Sequence, residues 1–221
     1  MKNAKINKIT VFSDFDGTIS TRDVGNRLFH HFSEGKSEEA VRHWKLNEID
    51  SRECLLQEAA AMRKITETEL FEFIDSFEID PTFIDFVEYM RHKEMPLYLL
   101  SDGLDIYIYR LLQKYKLDGL EVFANSARLI NGRLKFTFPY YDKSCGGCAN
   151  CKGYHIRNLR QQYSRAVYIG DGRSDVCALD EADIIFAKDY LAEYCREHKI
   201  EFLPFNNFSV ITEVLAEKIG R

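Results

Sequence analysis

Apolar positions along this chain follow two spacings, one typical of strands and one typical of helices. Short runs rich in β-branched and aromatic residues predict strands at residues 9–13, 97–100, 122–124, 166–169 and 184–186. Apolar residues occur at helical spacing in the segment that begins after residue 81, and again at residues 106–115, 152–163, 176–179 and 208–219. Strands that alternate with helices indicate a parallel sheet with right-handed crossovers. We therefore expect an α/β fold with a Rossmann-like parallel sheet flanked by helices.

The segment from residue 20 to residue 80 breaks this alternation. It has helical periodicity, for example at Leu70, Phe71 and Ile74, and it contains no strand candidate. We expect residues 1–19 and 81–221 to form the α/β core domain. Residues 20–80 would then form a small helical domain inserted after the first strand.

A second departure is the strand-like alternation at residues 127–138, which surrounds Asn131 and Gly132. Asn-Gly readily supplies the two positive φ angles of a tight hairpin turn. The pattern therefore predicts a β-hairpin, which we expect to project from the sheet as a flap.

Composition limits the classes of function. The 221 residues are 45% hydrophobic, and the net charge is −5. The basic residues are scattered along the sequence and form no positively charged cluster of the kind that binds nucleic acid. The basic start, Met1-Lys2-Asn3-Ala4-Lys5, lacks the apolar run of a signal peptide, and no stretch approaches the roughly 18 apolar residues of a membrane span. We expect a cytoplasmic protein without a membrane or nucleic-acid partner. The sequence leaves its oligomeric state open.

Two carboxylates stand directly after the first predicted strand, at Asp14 and Asp16. Positions i and i+2 point to the same side at the end of a strand, so both acids can reach one ligand. Gly17 allows the backbone to turn sharply, and Thr18 adds a hydroxyl group nearby. This is the arrangement expected for a nucleophile beside a metal site.

Two more acids, Asp171 and Asp175, follow a later strand and are one helical turn apart. The carboxyl ends of parallel strands meet at one edge of a sheet, so four carboxylates would converge and repel one another without a cation. Hard oxygen ligands favour Mg²⁺, which also recruits a phosphate oxygen. The predicted Mg²⁺ ligands are Asp14, Asp16, Asp171 and Asp175.

A phosphate group beside carboxylates needs further donors and positive charge. Ser101 follows the second strand, and its hydroxyl can donate to a phosphate oxygen. The backbone N–H groups of Asp102 and Gly103 can complete this cradle at a helix N-terminus. Lys152 is the candidate for the cationic group.

The order of these motifs resembles that of the haloacid dehalogenase superfamily. The superfamily pattern is Asp-x-Asp-x-Thr, then a Ser or Thr after a strand, then a Lys, then Gly-Asp-x-x-x-Asp. The resemblance covers nearly the whole chain, and four elements in order at predicted strand ends or helix starts are far more specific than one Asp-x-Asp. In this sequence the four elements are Asp14 to Thr18, Ser101, Lys152 and Gly170 to Asp175.

The resemblance implies a Mg²⁺-dependent phosphatase that hydrolyses a small phosphorylated metabolite. Asp14 would attack phosphorus to give an aspartyl-phosphate, and Asp16 would act as general acid and then as general base. Asp14 and Asp171 would bind Mg²⁺ by their side chains and Asp16 by its carbonyl, with Asp175 assisting. Lys152 would offset charge on the transferring group. A phosphotransferase or phosphomutase, and a metal-dependent binding module without turnover, are the alternatives.

The helical insertion matches the cap of the phosphoserine phosphatase-like branch of the superfamily. A cap that closes over the site excludes water and selects the substrate. Thr21, Arg22, Asp23 and Asn26 are the candidates for specificity contacts, although Asp23 could equally cap the helix that follows it. Phosphoserine phosphatases have a Glu near this position that meets the substrate ammonium, so Asp23 argues against phosphoserine as the substrate.

Three cysteines, Cys145, Cys148 and Cys151, lead directly to Lys152. With His155 they make a C-x₂-C-x₂-C-x₃-H pattern, which could close a tetrahedral structural Zn²⁺ site, and the spacing is also similar to an iron–sulfur run. Reduced thiols that shape the turn before the lysine are the equally weighted alternative. The remaining cysteines are predicted to be buried single thiols: Cys54, Cys177 and Cys195.

The Cys-Lys pair and the segment at residues 186–191 resemble one branch of the superfamily in particular. That branch includes phosphatases of 2-hydroxy-3-keto-5-methylthiopentenyl 1-phosphate, a methionine-salvage intermediate, and of phosphoethanolamine and phosphocholine. The substrate implied is therefore that keto ester or a phosphorylated alcohol or amino alcohol.

Overall fold

The computed structural model describes residues 8–143, 145–162 and 164–219. The N-terminal segment in which no signal peptide is predicted, Met1 to Lys5, lies outside the described residues. Within them, seven strands form one sheet in the order β4-β3-β2-β1-β5-β6-β7, and β4 alone runs antiparallel to its neighbour. The strands are β1 (Ile9–Ser13), β2 (Leu97–Leu104), β3 (Glu121–Ile130), β4 (Arg133–Thr137), β5 (Arg165–Gly170), β6 (Ile184–Ala187) and β7 (Leu203–Pro204).

Helices connect the strands in the described part of the chain. The α-helices are α1 (Val24–Ser33), α2 (Glu38–Lys45), α3 (Ser51–Ala61), α4 (Glu67–Asp75), α5 (Thr82–His92), α6 (Asp105–Lys114), α7 (Lys152–Leu159), α8 (Asp189–Glu197) and α9 (Phe208–Ile219). Two 3₁₀ segments cover Tyr141–Lys143 and Arg173–Glu181. None of the helices in this part of the chain is both long and apolar enough to cross a membrane.

Helices cover both faces of the sheet, so both faces are buried. Alternate residues of each strand point to opposite faces and pack against different helices. Val11 lies on the face that packs against α5, α6 and α9, where Phe83 and Phe208 are fully buried. Phe12 lies on the other face, which packs against α7, α8 and the 3₁₀ helix. These three layers confirm the predicted α/β fold with a flanked parallel sheet.

Helices α1 to α4 form the insertion between β1 and α5. The chain leaves and returns along paired segments: Ser20 and Ile79 form an antiparallel bridge, and the Asp80 N–H donates to the Ile19 carbonyl at 2.8 Å. This pairing lies at the predicted limits of the inserted domain. The division into residues 1–19 with 81–221 and residues 20–80 stays a prediction.

The hairpin differs from the sequence-based expectation in two respects. The strand near residue 122 and the first arm of the hairpin are a single strand, β3, which pairs parallel with β2 and antiparallel with β4. Asn131 and Gly132 have φ angles of 52° and 75°, which confirms the tight turn. The hairpin does not project freely as a flap, because the Ile65 N–H donates to the Gly132 carbonyl at 3.0 Å.

Several element limits also differ. Strand β2 continues past residue 100 to Leu104, and residues 173–181 form a 3₁₀ helix instead of an α-helix at 176–179. Helix α7 ends at Leu159 because Arg160 is extended, and Tyr163, the predicted end, lies outside the described residues. The sequence reasoning missed α8 and β7. Helix α8 buries only Leu191, Ala192 and Cys195, and four of its nine residues are charged, so its apolar periodicity is weak.

Candidate active site

The carboxyl ends of β2, β1 and β5 are neighbours, and the predicted acids meet there. Carboxylate oxygens of Asp14, Asp171 and Asp175 all lie within 4.8 Å of one another. The carboxylate of Asp16 is outside this group and faces α6 instead. The structure therefore separates the four acids into a cluster of three and a single acid that faces α6.

Asp14 lies at the end of β1, where its N–H donates to the Ile169 carbonyl of β5 at 2.9 Å. Its side chain is buried, and Lys152 Nζ donates to Oδ1 at 2.5 Å. Burial raises the pKa of Asp14 well above its ordinary value, and the charge of Lys152 opposes this shift without cancelling it. The carboxylate is thus poorly hydrated but held in place by one cation.

Lys152 is the first residue of α7, and its side chain is fully buried. Burial by itself would lower its pKa, but the carboxylates of Asp14 and Asp175 outweigh that effect and raise the pKa. The ammonium group also donates to Ser174 Oγ at 3.2 Å. Lys152 therefore supplies a fixed positive charge beside Asp14.

Asp175 is occupied on both of its oxygens. One accepts from Lys152 and from the Tyr168 hydroxyl at 2.5 Å, and the other accepts from the N–H groups of Asp171 and Gly172 at 2.9 and 2.7 Å. A carboxylate with four donors orients its neighbours strongly. Asp175 thus holds Lys152 and the loop that carries Asp171.

Asp171 accepts a 2.5 Å hydrogen bond from the Thr18 hydroxyl. Burial, followed by the charge of Asp175, raises the pKa of Asp171 to about 7. Gly17 approaches it closely: its φ is +78°, and a Cβ there would lie 2.5 Å from Asp171 Oδ2. Only glycine fits this turn without displacing the carboxylate.

Asp16 faces α6 and the start of α1. Its Oδ2 accepts from the Tyr107 hydroxyl at 2.5 Å, and its Oδ1 accepts from the Val24 N–H at 2.9 Å. Burial, followed by the charge of Asp23, raises the pKa of Asp16 to about 8. Sequence reasoning missed Tyr107, because it lies in the apolar stripe of α6 and looks like a core residue.

The Ser-Asp-Gly segment lies within the extended end of β2. Ser101 Oγ accepts from the Gly103 N–H at 2.9 Å and is 3.4 Å from Asp16 Oδ2. The Asp102 carboxylate accepts from the Asn150 N–H at 2.7 Å, and burial raises its pKa to about 6. The expected helix N-terminus is not at these residues, since the strand continues to Leu104. Asp102 instead anchors the loop before Lys152.

The cap-side candidates divide into two pairs. The Asp23 carboxylate accepts from the Asn26 N–H at 2.8 Å, so Asp23 caps α1, and both residues also line the cleft. Thr21 donates to the Glu78 carbonyl by its N–H and its hydroxyl. Thr21 and Arg22 line an adjoining opening beside Asp171. Of the four predicted cap residues, Asp23 and Asn26 therefore line the cleft that holds Asp14 and Asp16.

A cleft of about 520 Å³ covers the catalytic acids. The inserted helices form its far wall, where apolar side chains lie beside the buried carboxyl group of Glu58 and the polar side chains of Lys45 and Ser51. Glu58 is 5% exposed, and burial, followed by the charge of Asp23, raises its pKa to about 8. Nothing in the sequence pattern distinguished Glu58 from a surface acid. The apolar residues of the wall are Phe29, Val41, Trp44 and Leu55.

Arg173 crosses the cleft from the catalytic loop to the inserted helices. Its guanidinium lies 6.0 Å from the Trp44 ring and 5.9 Å from the Tyr190 ring, within the range of a cation–π contact. It also donates to the Asn47 side chain at 2.9 Å. This residue was not among the predicted site residues, and it links the two walls.

The predicted ligand set of Cys145, Cys148, Cys151 and His155 is wrong in its last member. His155 Nε2 is 2.6 Å from Asn150 Oδ1, and its ring packs against Phe123 and Tyr140. Burial lowers its pKa to about 4. The helical periodicity of α7 turns the imidazole away from the thiols, and Cys177 takes the fourth position.

Mg²⁺ fits the donor set of this site. Asp14 and Asp171 present hard oxygens to one point, and burial has raised the pKa of both, so a divalent cation would relieve their mutual repulsion. Asp175 is less suited to direct ligation because both of its oxygens already accept hydrogen bonds.

Residues 11–180 match the family described as haloacid dehalogenase-like hydrolase. The chain belongs to this family. The predicted superfamily and the prediction of an enzyme are thereby confirmed, and enzymes of this family generally use Mg²⁺.

Known proteins are similar to the chain over most of its length. A 2-hydroxy-3-keto-5-methylthiopentenyl-1-phosphate phosphatase of Bacillus cytotoxicus is 29% identical over 207 residues, which cover 90% of this chain and 92% of that protein. A phosphoserine phosphatase of T. onnurineus has a TM-score of 0.67 at 17% identity, with 97% of each chain covered. A HAD family hydrolase of Salmonella enterica serovar Typhi has a TM-score of 0.71 at 18% identity and covers 96% of this chain and 71% of that chain. The two structures show the fold.

Proposed function

We propose that this protein is a Mg²⁺-dependent phosphatase that acts on a small phosphate ester through an aspartyl-phosphate. The observation that carries the proposal is the pairing of two buried acids with opposite surroundings. Asp14 is bound to the ammonium group of Lys152, whereas Asp16 is bound to a neutral hydroxyl, that of Tyr107. Such a difference separates a nucleophile from a proton donor.

The chemistry follows from this separation. The Asp14 carboxylate attacks phosphorus, and the P–O bond to the alcohol breaks. Asp16, with a pKa of about 8, is mostly protonated at neutral pH and gives its proton to the leaving oxygen. It then accepts a proton from the water that hydrolyses the aspartyl-phosphate. Ser101 is placed to donate its hydroxyl to a phosphate oxygen.

Mg²⁺ would be held by the side chains of Asp14 and Asp171 and by the backbone carbonyl of Asp16. When bound, the ion offsets negative charge on the phosphoryl group. Thr18 keeps Asp171 in place, and Asp175 contributes indirectly by holding Lys152 and the Asp171 backbone.

Residues 20–80 act as the cap in this proposal. Their helices supply the apolar wall of the cleft, and Arg173 connects that wall to the catalytic loop. A closed cap excludes water and determines which leaving group fits above Asp16.

The substrate that fits best is 2-hydroxy-3-keto-5-methylthiopentenyl 1-phosphate, the ester named for the Bacillus relative. An apolar wall at Phe29, Trp44 and Leu55 suits a methylthio tail. Glu58, with a pKa of about 8, is mostly neutral at pH 7 and can donate a hydrogen bond to a keto or hydroxyl oxygen. A neutral carboxyl is a poor partner for the ammonium of phosphoserine.

Phosphoethanolamine and phosphocholine fit less well. Aromatic rings are the usual partners of a quaternary ammonium group. In this cleft the rings of Trp44 and Tyr190 already face the guanidinium of Arg173, which would also repel a cationic substrate.

Phosphate release from p-nitrophenyl phosphate with and without Mg²⁺ tests the reaction. We expect activity only with the metal, loss of at least about a thousandfold in Asp14→Asn, and normal activity in the exposed control Asp118→Asn. Full activity in Asp14→Asn would refute the assignment of the nucleophile. Release of phosphate without transfer to added alcohols separates hydrolysis from phosphotransfer.

A panel of phosphorylated metabolites tests the substrate. We expect the keto ester with a methylthio tail to have the highest kcat/KM, and Trp44→Ala to lower this value more than that for phosphoserine. A preference for phosphoserine or phosphocholine would contradict the proposed substrate. The cytoplasmic location and the absence of a nucleic-acid partner stay predictions.

A further inference from the structure

Four cysteine sulfurs meet near the start of α7, and none of them lines the cleft. Cys145, Cys148 and Cys151 belong to the loop before α7, and Cys177 belongs to the 3₁₀ helix Arg173–Glu181. All four Sγ atoms lie within 4.8 Å of one another, with 3.4 Å between Cys145 and Cys148 and 3.6 Å between Cys148 and Cys177. Three come from one short loop and the fourth from a segment 26 residues further along.

The spacing of these sulfurs fits a single tetrahedral ion. Zinc–thiolate bonds of about 2.3 Å place tetrahedral sulfurs roughly 3.8 Å apart. Two of the separations, 3.4 and 3.6 Å, are close to that value, and all of them stay within 4.8 Å. An iron–sulfur cluster places several iron atoms between its cysteines and needs a wider cage. Each of the four cysteines is a free thiol.

The surroundings also suit thiolates. The backbone N–H of Tyr154 faces the Cys151 sulfur, and that of Gly147 faces the Cys145 sulfur. Cys151 is the residue that caps α7, so the positive end of the helix dipole faces the cluster. A metal bound by four thiolates carries a net double negative charge, which these donors would help to stabilise.

We propose that Cys145, Cys148, Cys151 and Cys177 bind one structural Zn²⁺. Each thiol loses its proton to solvent as the ion binds, and no electron is transferred. The ligand set replaces the one that the sequence predicts, with Cys177 in place of His155. The site is distinct from the Mg²⁺ site and does not depend on the proposed phosphatase function.

Such an ion would position the catalytic lysine. Lys152 follows the ligand Cys151 directly, and its partner Asp175 precedes the ligand Cys177 by two residues. The two segments already approach closely, since a Cβ on Gly153 would lie 2.2 Å from the Cys177 carbonyl oxygen. Zinc would therefore join the loop that precedes Lys152 to the segment that carries Asp175.

Metal content of the purified protein is the direct test. The chain is expressed without a histidine tag, purified without chelators under reducing conditions, and analysed for zinc and iron. We expect about one zinc per chain in the wild type and in the control His155→Gln, and almost none in Cys177→Ser. Retention of zinc in Cys177→Ser together with its loss in His155→Gln would overturn the ligand set.

A second measurement covers the case in which Cys177→Ser does not fold. Mercurial titration of the wild type should release zinc in step with modification of four thiols, whereas the isolated thiol variant Cys195→Ser should bind zinc normally. Cobalt-substituted protein should show the thiolate charge-transfer and visible bands of a tetrahedral sulfur site. A wild type that stays free of zinc after supplementation, or that carries iron in its place, would refute the proposal.

Discussion

Glu58 provides a quantitative test of the cap wall. Glu58 is 5% exposed, and its carboxyl group contacts the weakly polar Cys54 thiol at 3.8 Å, so ionisation in the folded state is unfavourable. Burial raises the pKa from 4.5 to about 8. The folded state then binds the proton more tightly than the unfolded state. Stability contributed by this proton is complete below pH 4.5 and is lost as the pH rises through 8.

The magnitude follows from the two pKa values. Each pH unit between them changes the free energy of unfolding by about 1.4 kcal/mol, so at pH 7 the cost is about 3 kcal/mol. Glu58→Gln keeps the shape of the neutral acid and removes this cost. We expect the variant to match the wild type near pH 4.5 and to be more stable by about 3 kcal/mol at pH 7.

Urea unfolding of both proteins at several pH values between 4.5 and 8 measures the difference. The pKa values of Asp14, Asp16 and Asp171 are also raised, so these acids change the stability of the wild type with pH in the same direction as Glu58. The difference between wild type and variant isolates the contribution of Glu58. Glu72→Gln, the same substitution at an exposed position of α4, should leave the pH dependence unchanged. A Glu58→Gln effect that is independent of pH would refute the reasoning.

Three further substitutions test the catalytic acids and the cap. Tyr107→Phe removes a hydrogen bond that stabilises the charged form of Asp16, so the pKa of Asp16 should rise. The basic limb of the pH profile of kcat/KM should then move to higher pH. A basic limb that does not move would contradict the role of Asp16 as general acid. Gly17→Ala adds a Cβ at a φ of +78° against Asp171, which should cost about 1 to 2 kcal/mol of stability and raise the Mg²⁺ concentration for half-maximal activity. An unaltered Mg²⁺ requirement would argue against Asp171 as a ligand. Arg173→Ala removes the contacts with Trp44 of α2 and with Asn47, and it should raise KM several-fold with an unchanged Mg²⁺ requirement. An unchanged KM would exclude a role in cap closure.

Local patterns in the sequence predicted the parts of the structure that depend on neighbouring residues. Asp14 and Asp16 follow a strand of five buried residues, as the run of apolar residues indicates, and Asn131-Gly132 makes the expected turn. In both cases two or three adjacent residues determine the backbone conformation. The order of strands and helices was readable for the same reason.

Contacts between distant segments depend on packing, and the sequence did not reveal them. Tyr107 reaches Asp16 across 91 positions, and Cys177 joins cysteines from a loop 26 to 32 positions earlier. Neither residue stands in a distinctive local pattern, because its role depends on how a helix is placed over the sheet. The pair of aspartates after β1 was thus determined by sequence alone. The tertiary structure decided that one of them faces an ammonium group and the other a hydroxyl, since those partners arrive on separate crossover helices.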